Sequence, residues 1–386
     1  MPLENLFAEA PAKGRRANRA RALYQYAGVL TNPFPSAAQT SDHPHSPIDA
    51  DNEVDSAVKS FINDSRTHVI VVTATQGIGK TNLLNAYERA LKDKLADTGR
   101  GFFVIRYVAE PEPSFDPLLR SILEHLNQDG ESHLRRTIEA YDELKNHDQQ
   151  SALRAIRTPE VRRMVSALIE SQSLPEEERE WRYDLAQHWL MGLPVRKAHR
   201  EELDVFFRLE TVESKTRALR DVIYFSASVG TLQGVFLLLD EIEKATIYSR
   251  SILYQYLFAL RALIDALPQY LFLMLAMTRD ARDRYGEMIP ALRARFAHEI
   301  ALQPLKGVDQ ALELYRFYIH TAKEEAQNSE RARNWDEGDF ELLSPGTAAD
   351  VFQELSKRAT VEGVRQRDFL NALHERANTK IEQLFE

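Results

Sequence analysis

The 386-residue chain contains no cysteine. That excludes disulfide bonds, thiolate zinc sites and thiol nucleophiles together. Long apolar runs are missing as well, and none approaches the roughly 18 residues of a membrane span. The longest candidates, "GVFLLLDEI" and "LPQYLFLMLAM", are strand-length and interrupted or flanked by polar residues. The N-terminus has no apolar signal-peptide core, so the expected location is cytoplasmic, away from any membrane. A cationic surplus is absent too. The net charge of −9 argues against a chain that coats nucleic acid by neutralising phosphates. One local exception is "KGRRANRAR" (13–21), where five cations meet no acid. Such a run is more often a solvated arm than a nucleic-acid or partner contact.

The length suits two or three domains with ample core. Residues 1–50 read as a basic arm and linker, since "LTNPFPSAAQTSDHPHSPIDA" is rich in Pro, Ser and His. His43 and His45 within it read as loop residues rather than a metal site. From 51 onward the pattern is regular. "HVIVVTA" is a continuous β-branched run, a strand buried on both faces. "GFFVIRYVAE" gives a second strand, "GVFLLLDEIEK" a third, "YLFLMLAMTRD" a fourth and "EIALQPL" (299–305) a fifth. The expected fold is α/β, a parallel five-stranded sheet flanked by helices. A helical insertion occupies about 112–225, with the acidic loop "LPEEERE" between two of its helices. The core spans 51–305, and 306–386 forms a helical lid.

A phosphate loop usually reads G-x-x-x-x-G-K-[ST]. In "HVIVVTATQGIGKTNLLNAYERAL" (68–91) Ala74 stands where the first glycine belongs. The backbone groups that wrap phosphates belong to the residues nearest the helix, Gln76, Gly77, Ile78, Gly79, Lys80 and Thr81, with Asn82 beside them. Ala74 serves at the strand end if its φ stays negative. Lys80 would reach the β- and γ-phosphates of ATP, and Thr81 would ligate Mg²⁺. Asp240 and Glu241 end a buried strand at its carboxyl end, where ligands bind in open α/β sheets. Asp240 would hold the Mg²⁺ shell, and Glu241 would deprotonate the attacking water. Thr278 ends the fourth strand; a water- or phosphate-binding role and a plain strand-end role weigh equally there. Arg295, with Arg293 as its alternative, could reach a neighbouring subunit's nucleotide, and Arg365 could report on the γ-phosphate from the lid. Taken singly, each arginine is more often a surface ion pair.

Together these residues resemble the AAA+ ATPases over roughly 50–385. "TQGIGKT" is similar to their phosphate loop, "VFLLLDE" to the Walker B strand, "LAMT" to sensor 1, "LRARF" to the arginine-finger box and "GVR" to sensor 2. "TNPFP" is similar to the segment before the nucleotide site in transposition and origin-type members, where it passes near the adenine. Within the superfamily, "HWLMGL", "LLLDEIEKA" and "LRALIDALP" look most like the ATP-binding proteins of BREX-type phage-defence systems. The resemblance implies ATP and Mg²⁺ as cofactors, a homo-oligomer with an arginine acting in trans, and other proteins of a multi-component system as partners. It leaves direct DNA contact open. Residues 366–386 are too few for the winged-helix domain of origin initiators, which speaks against site-specific origin binding. Two other functions compete. One is a nucleotide-gated scaffold that recruits partners through the insertion and scarcely hydrolyses ATP. The other is a small-molecule kinase, less suited to an Asp–Glu pair joined by Thr278.

Overall fold

The computed structural model describes residues 23–25, 27–39, 43–96, 101–109, 114–127, 131–247, 249–329, 341–359 and 363–384. The basic run 13–21 lies outside them. Five strands, β1 (His68–Thr73), β2 (Phe102–Val108), β3 (Gly234–Asp240), β4 (Leu271–Met277) and β5 (Glu299–Ala301), form one sheet. Every pairing is parallel, and the order is β2-β3-β4-β1-β5. β3 and β4 are buried at every position, which is why both read as unbroken apolar runs. The fifth strand is shorter than its sequence suggested. Pairing stops at Ala301, and Leu305 instead bridges Val364.

Residues 49–73 and 87–301 form one compact unit around this sheet. Helix α1 (Asp49–Asp64) opens it with Asp49 and Asp51 in its first turn, where the helix dipole favours acids. Its buried residues are Val54, Ala57, Val58 and Phe61, the helical spacing visible in the sequence. The helix α2 (Lys80–Ala96) follows β1. Between β2 and β3 come α3 (Phe115–Leu126), α4 (His133–Asp142), α5 (Asn146–Ala155), α6 (Pro159–Glu170), α7 (Glu176–Leu190), α8 (Lys197–Glu202) and α9 (Val212–Val229). The acidic stretch "LPEEERE" is not a loop. Glu176, Glu177 and Glu178 make the first turn of α7, three acids at the positive end of its dipole.

The insertion is not a separate lobe. Its buried residues, among them Leu118, Ile138, Met164, Trp189 and Leu219, join Ile105, Leu237 and Leu273 of the sheet in one hydrophobic cluster. His133 lies inside this packing, its ring edge-on to Phe103 at 5.2 Å and its Nε2 2.8 Å from Ser226 Oγ. Burial lowers its pKa to about 3. The unfolded chain therefore binds a proton below pH 6.5 that the folded chain refuses, and stability falls as pH drops through that window. About 2 kcal/mol should be lost by pH 5. Urea melts at pH 7 and pH 5 should show that difference in the wild type and a smaller one in His133→Gln.

Residues 1–48, 74–86 and 302–386 form the other unit. Helices α10 (Arg250–Ala266), α11 (Arg279–Met288) and α12 (Pro290–Arg295) complete the sheet-bearing unit. α13 (Val308–Asn328), α14 (Pro345–Ser356) and α15 (Gln366–Gln383) belong to the other. Its core includes Tyr24, Val29 and Phe34, so this stretch of the expected linker is packed structure. Asn32 donates to His374 O at 3.0 Å and to Asn378 Oδ1 at 2.9 Å, and His43 Nδ1 lies 2.7 Å from Tyr318 Oη. No helix among the described residues is long and apolar enough to cross a membrane.

Candidate functional site

The chain leaves β1 at Thr73 and enters α2 at Lys80. Between them Gly77 has φ +86° and Gly79 φ +102°, a backbone conformation that L side chains rarely adopt. Ala74 is not among the residues with positive φ, so alanine fits where the usual loop has glycine. It is fully buried, and its carbonyl accepts a hydrogen bond from Lys80 Nζ at 3.2 Å. Gln76 is exposed, while Ile78 and Lys80 are buried. Asn82 Nδ2 donates to Pro44 O at 3.3 Å, so this side chain ties the helix start to the N-terminal segment.

The start of α15 lies against the same loop. Arg367 N donates to Gly77 O at 3.0 Å. A Cβ on Gly77 would meet Arg367 Cβ at 3.5 Å and Arg365 Cδ at 3.6 Å. One on Gly79 would meet Gln366 Oε1 at 3.1 Å. Glycine at both positions thus admits the turn, and at Gly79 it also leaves room for the Gln366 side chain. Arg365 is the N-cap residue of α15. Sequence reasoning named Arg365 but passed over Gln366 and Arg367, which share its helix start.

In the sheet-bearing unit, Asp240 ends β3 and is 2% exposed. Its Oδ1 accepts from Glu241 N at 2.9 Å, and its Oδ2 accepts from Arg106 Nη2 at 2.6 Å. Glu241 has φ +57°, uncommon for a residue with a side chain, and its Oε2 pairs with Lys244 Nζ. Thr278 follows β4 directly and caps α11, its side chain accepting from Ala281 N at 3.3 Å. Since β4 lies between β1 and β3 and all run parallel, Thr278, Thr73 and Asp240 sit together at the carboxyl ends of the strands. Arg295 is committed elsewhere. Its Nε and Nη2 donate to Asp265 Oδ1 at 3.0 and 2.8 Å. Arg293 is exposed, crosses Gly286 with its stem and has no ion pair among the described residues.

At the end of β3 the sequence reading also missed Arg106 and Lys244. A signal for the first was present: a lone arginine within an apolar strand needs a buried partner. Lys244 lies three residues after Glu241 in a 3₁₀ turn (Ile242–Ile247), a spacing that brings such pairs together.

No family model and no curated protein matches the chain. Among solved structures it is similar to the Aeropyrum pernix ORC2 protein in its ADPNP–ADP complexes, at 14% identity and a TM-score of 0.41. The likeness covers 89% of this chain and 72% of that one.

Proposed function

We propose that the chain is an ATP-binding and ATP-hydrolysing switch of the AAA+ type. The loop between Thr73 and Lys80 carries this reading. Two positive-φ glycines free its backbone N–H groups to wrap phosphate oxygens, and the buried Lys80 follows at the helix start. Thr81 with its hydroxyl and Asp240 with its carboxylate would each offer Mg²⁺ a hard oxygen ligand. Bound Mg²⁺ would neutralise charge on the phosphates. Lys80 would bind the β- and γ-phosphates, and Glu241 would take the proton of the attacking water. Thr278 would orient that water, and Arg365 would bind phosphate from the lid helix.

The cation acting in trans is better assigned to Arg293 than to Arg295, because Asp265 already holds Arg295. A homo-oligomer would complete the site. A DNA-linked, multi-component defence role rests on the resemblance of sequence phrases and is part of the same proposal, as is a cytoplasmic location.

A second reading is a nucleotide-gated scaffold with little turnover. One observation favours it: both strand-end carboxylates are held by cations, Asp240 by Arg106 and Glu241 by Lys244. ATP turnover by the purified chain, measured across protein concentration with and without duplex DNA, separates the two. A rate per chain that rises with concentration supports an assembled ATPase, and Arg293→Ala should then lower it about 10³-fold or more while Arg295→Ala lowers it less. ATP binding with negligible turnover in every condition moves the scaffold ahead.

A further inference from the structure

We propose that Arg106 is the resident counter-ion of Asp240 and sets how tightly that carboxylate takes a divalent cation. The inference rests on the reading of Asp240 as a metal carboxylate.

Arg106 stands in the middle of β2 between the buried Ile105 and Tyr107. Register pairs Arg106 with Leu238 and Val108 with Asp240. Side chains two apart on a strand share a face, so Arg106 and Asp240 are diagonal neighbours on one face of the sheet. The guanidinium reaches across that diagonal to Oδ2 at 2.6 Å, with Arg106 12% and Asp240 2% exposed. The other carboxylate oxygen is taken by Glu241 N. Both oxygens of Asp240 are therefore engaged.

The contact is also one-armed. Arg106 Nη1 is buried and has no hydrogen-bond partner among the described residues. A bidentate fork is the strong form of this pair, and here only Nη2 reaches the carboxylate. Arginine cannot shed its proton, so a divalent ion approaching Oδ2 meets a fixed positive charge and must displace it. Arg106 thus keeps Asp240 neutralised and disfavours a lone divalent ion at the strand end. A pair held by one hydrogen bond can yield where a bidentate one would not.

The test uses Mn²⁺ as the probe, titrated into the full chain without nucleotide and followed by electron paramagnetic resonance. R106Q should bind Mn²⁺ about tenfold or more tightly than wild type, since a like charge within ~4 Å of the ion is removed. The tightening should vanish in R106Q/D240N compared with D240N. An R106Q protein that binds no tighter overturns the proposal, and so does equal tightening in the D240N background. Should R106Q fail to fold, R106K retains a cation but loses the planar reach, and its affinity should fall between wild type and the tenfold gain. A folded R106K no tighter than wild type overturns the proposal equally. Because no nucleotide is present, this outcome is independent of the phosphate-loop reading, which ATP binding by the wild type tests separately.

Discussion

Replacing Glu241 by glutamine is expected to lower ATP turnover by about 10²–10⁴-fold while leaving ATP binding within about twofold of wild type. Glutamine keeps the shape and hydrogen-bonding reach of the side chain but cannot accept the proton of an attacking water. Glu241 follows Asp240 in a left-handed backbone conformation, and its carboxylate pairs with Lys244 in the next turn. The amide can still accept a hydrogen bond from that lysine, so local structure should survive. Single-turnover phosphate release and equilibrium binding of a fluorescent ATP analogue measure the two quantities separately. Parallel loss of both would point to collapse of the strand end and would remove Glu241 from the role of base. Unchanged turnover would place the base elsewhere.

Asp240→Ala is expected to have the largest effect on stability, about 3–5 kcal/mol. Asp240 and Arg106 are both largely buried, and removing one partner leaves the other charge without compensation. The backbone N–H of Glu241 would lose its acceptor as well. A fall of on the order of ten degrees in the melting temperature should follow. Asp240→Asn should cost less, since its amide oxygen can still accept from either donor. Replacing both partners with apolar residues of similar size should recover much of the loss, because no orphaned charge then remains. Thermal melts of the four proteins check the ordering. If Asp240→Ala melted with the wild type, the ion pair would contribute little to the fold.

The sheet was legible because burial on both faces leaves a plain mark. Strands such as "VFLLL" and "LFLMLAM" have no polar position to break the run. The turn from β1 into α2 was legible for a similar reason, since a strand, two glycines and a helix lie in immediate succession. Partners far apart in sequence were not. Nothing in "TNPFP" announces that Asn32 will bond His374 and Asn378, or that Phe34 will be buried among residues beyond 300. Proline and serine signal a break in regular structure, not exposure, so the burial of Tyr24, Val29 and Phe34 leaves no mark in the sequence. The insertion was recognised as helical, but its fusion with the sheet core was not. Periodicity reports which face of a helix is buried and is silent on what buries it. That fusion alters an experiment that the sequence invites. Removing 112–215 as a block would strip Phe115, Leu118 and Ile138 from the cluster that holds Ile105 and Leu237, so its effect on ligand binding would carry no information about a docking surface. Point changes at exposed positions such as Phe207, 71% exposed, probe that surface without disturbing the core.

The parallel pairing of β2 with β3 also governs how the chain assembles. Residues 109–233 lie between the two strands. Closing a loop of that length costs about 4 kcal/mol in chain entropy if the intervening segment is unstructured. At ~5–20 residues per second, a ribosome needs on the order of ten seconds to deliver β3 after β2 has emerged. During that interval β2 has no strand to pair with on this side, and its edge is open to association with other chains. The helices between them pack on one another, α9 against α5 above all, and every one of them leaves the ribosome before β3. By collapsing first, they shorten the effective span and bring the two strands within reach. The same segment that looks like an added surface is therefore the folding bridge of the sheet.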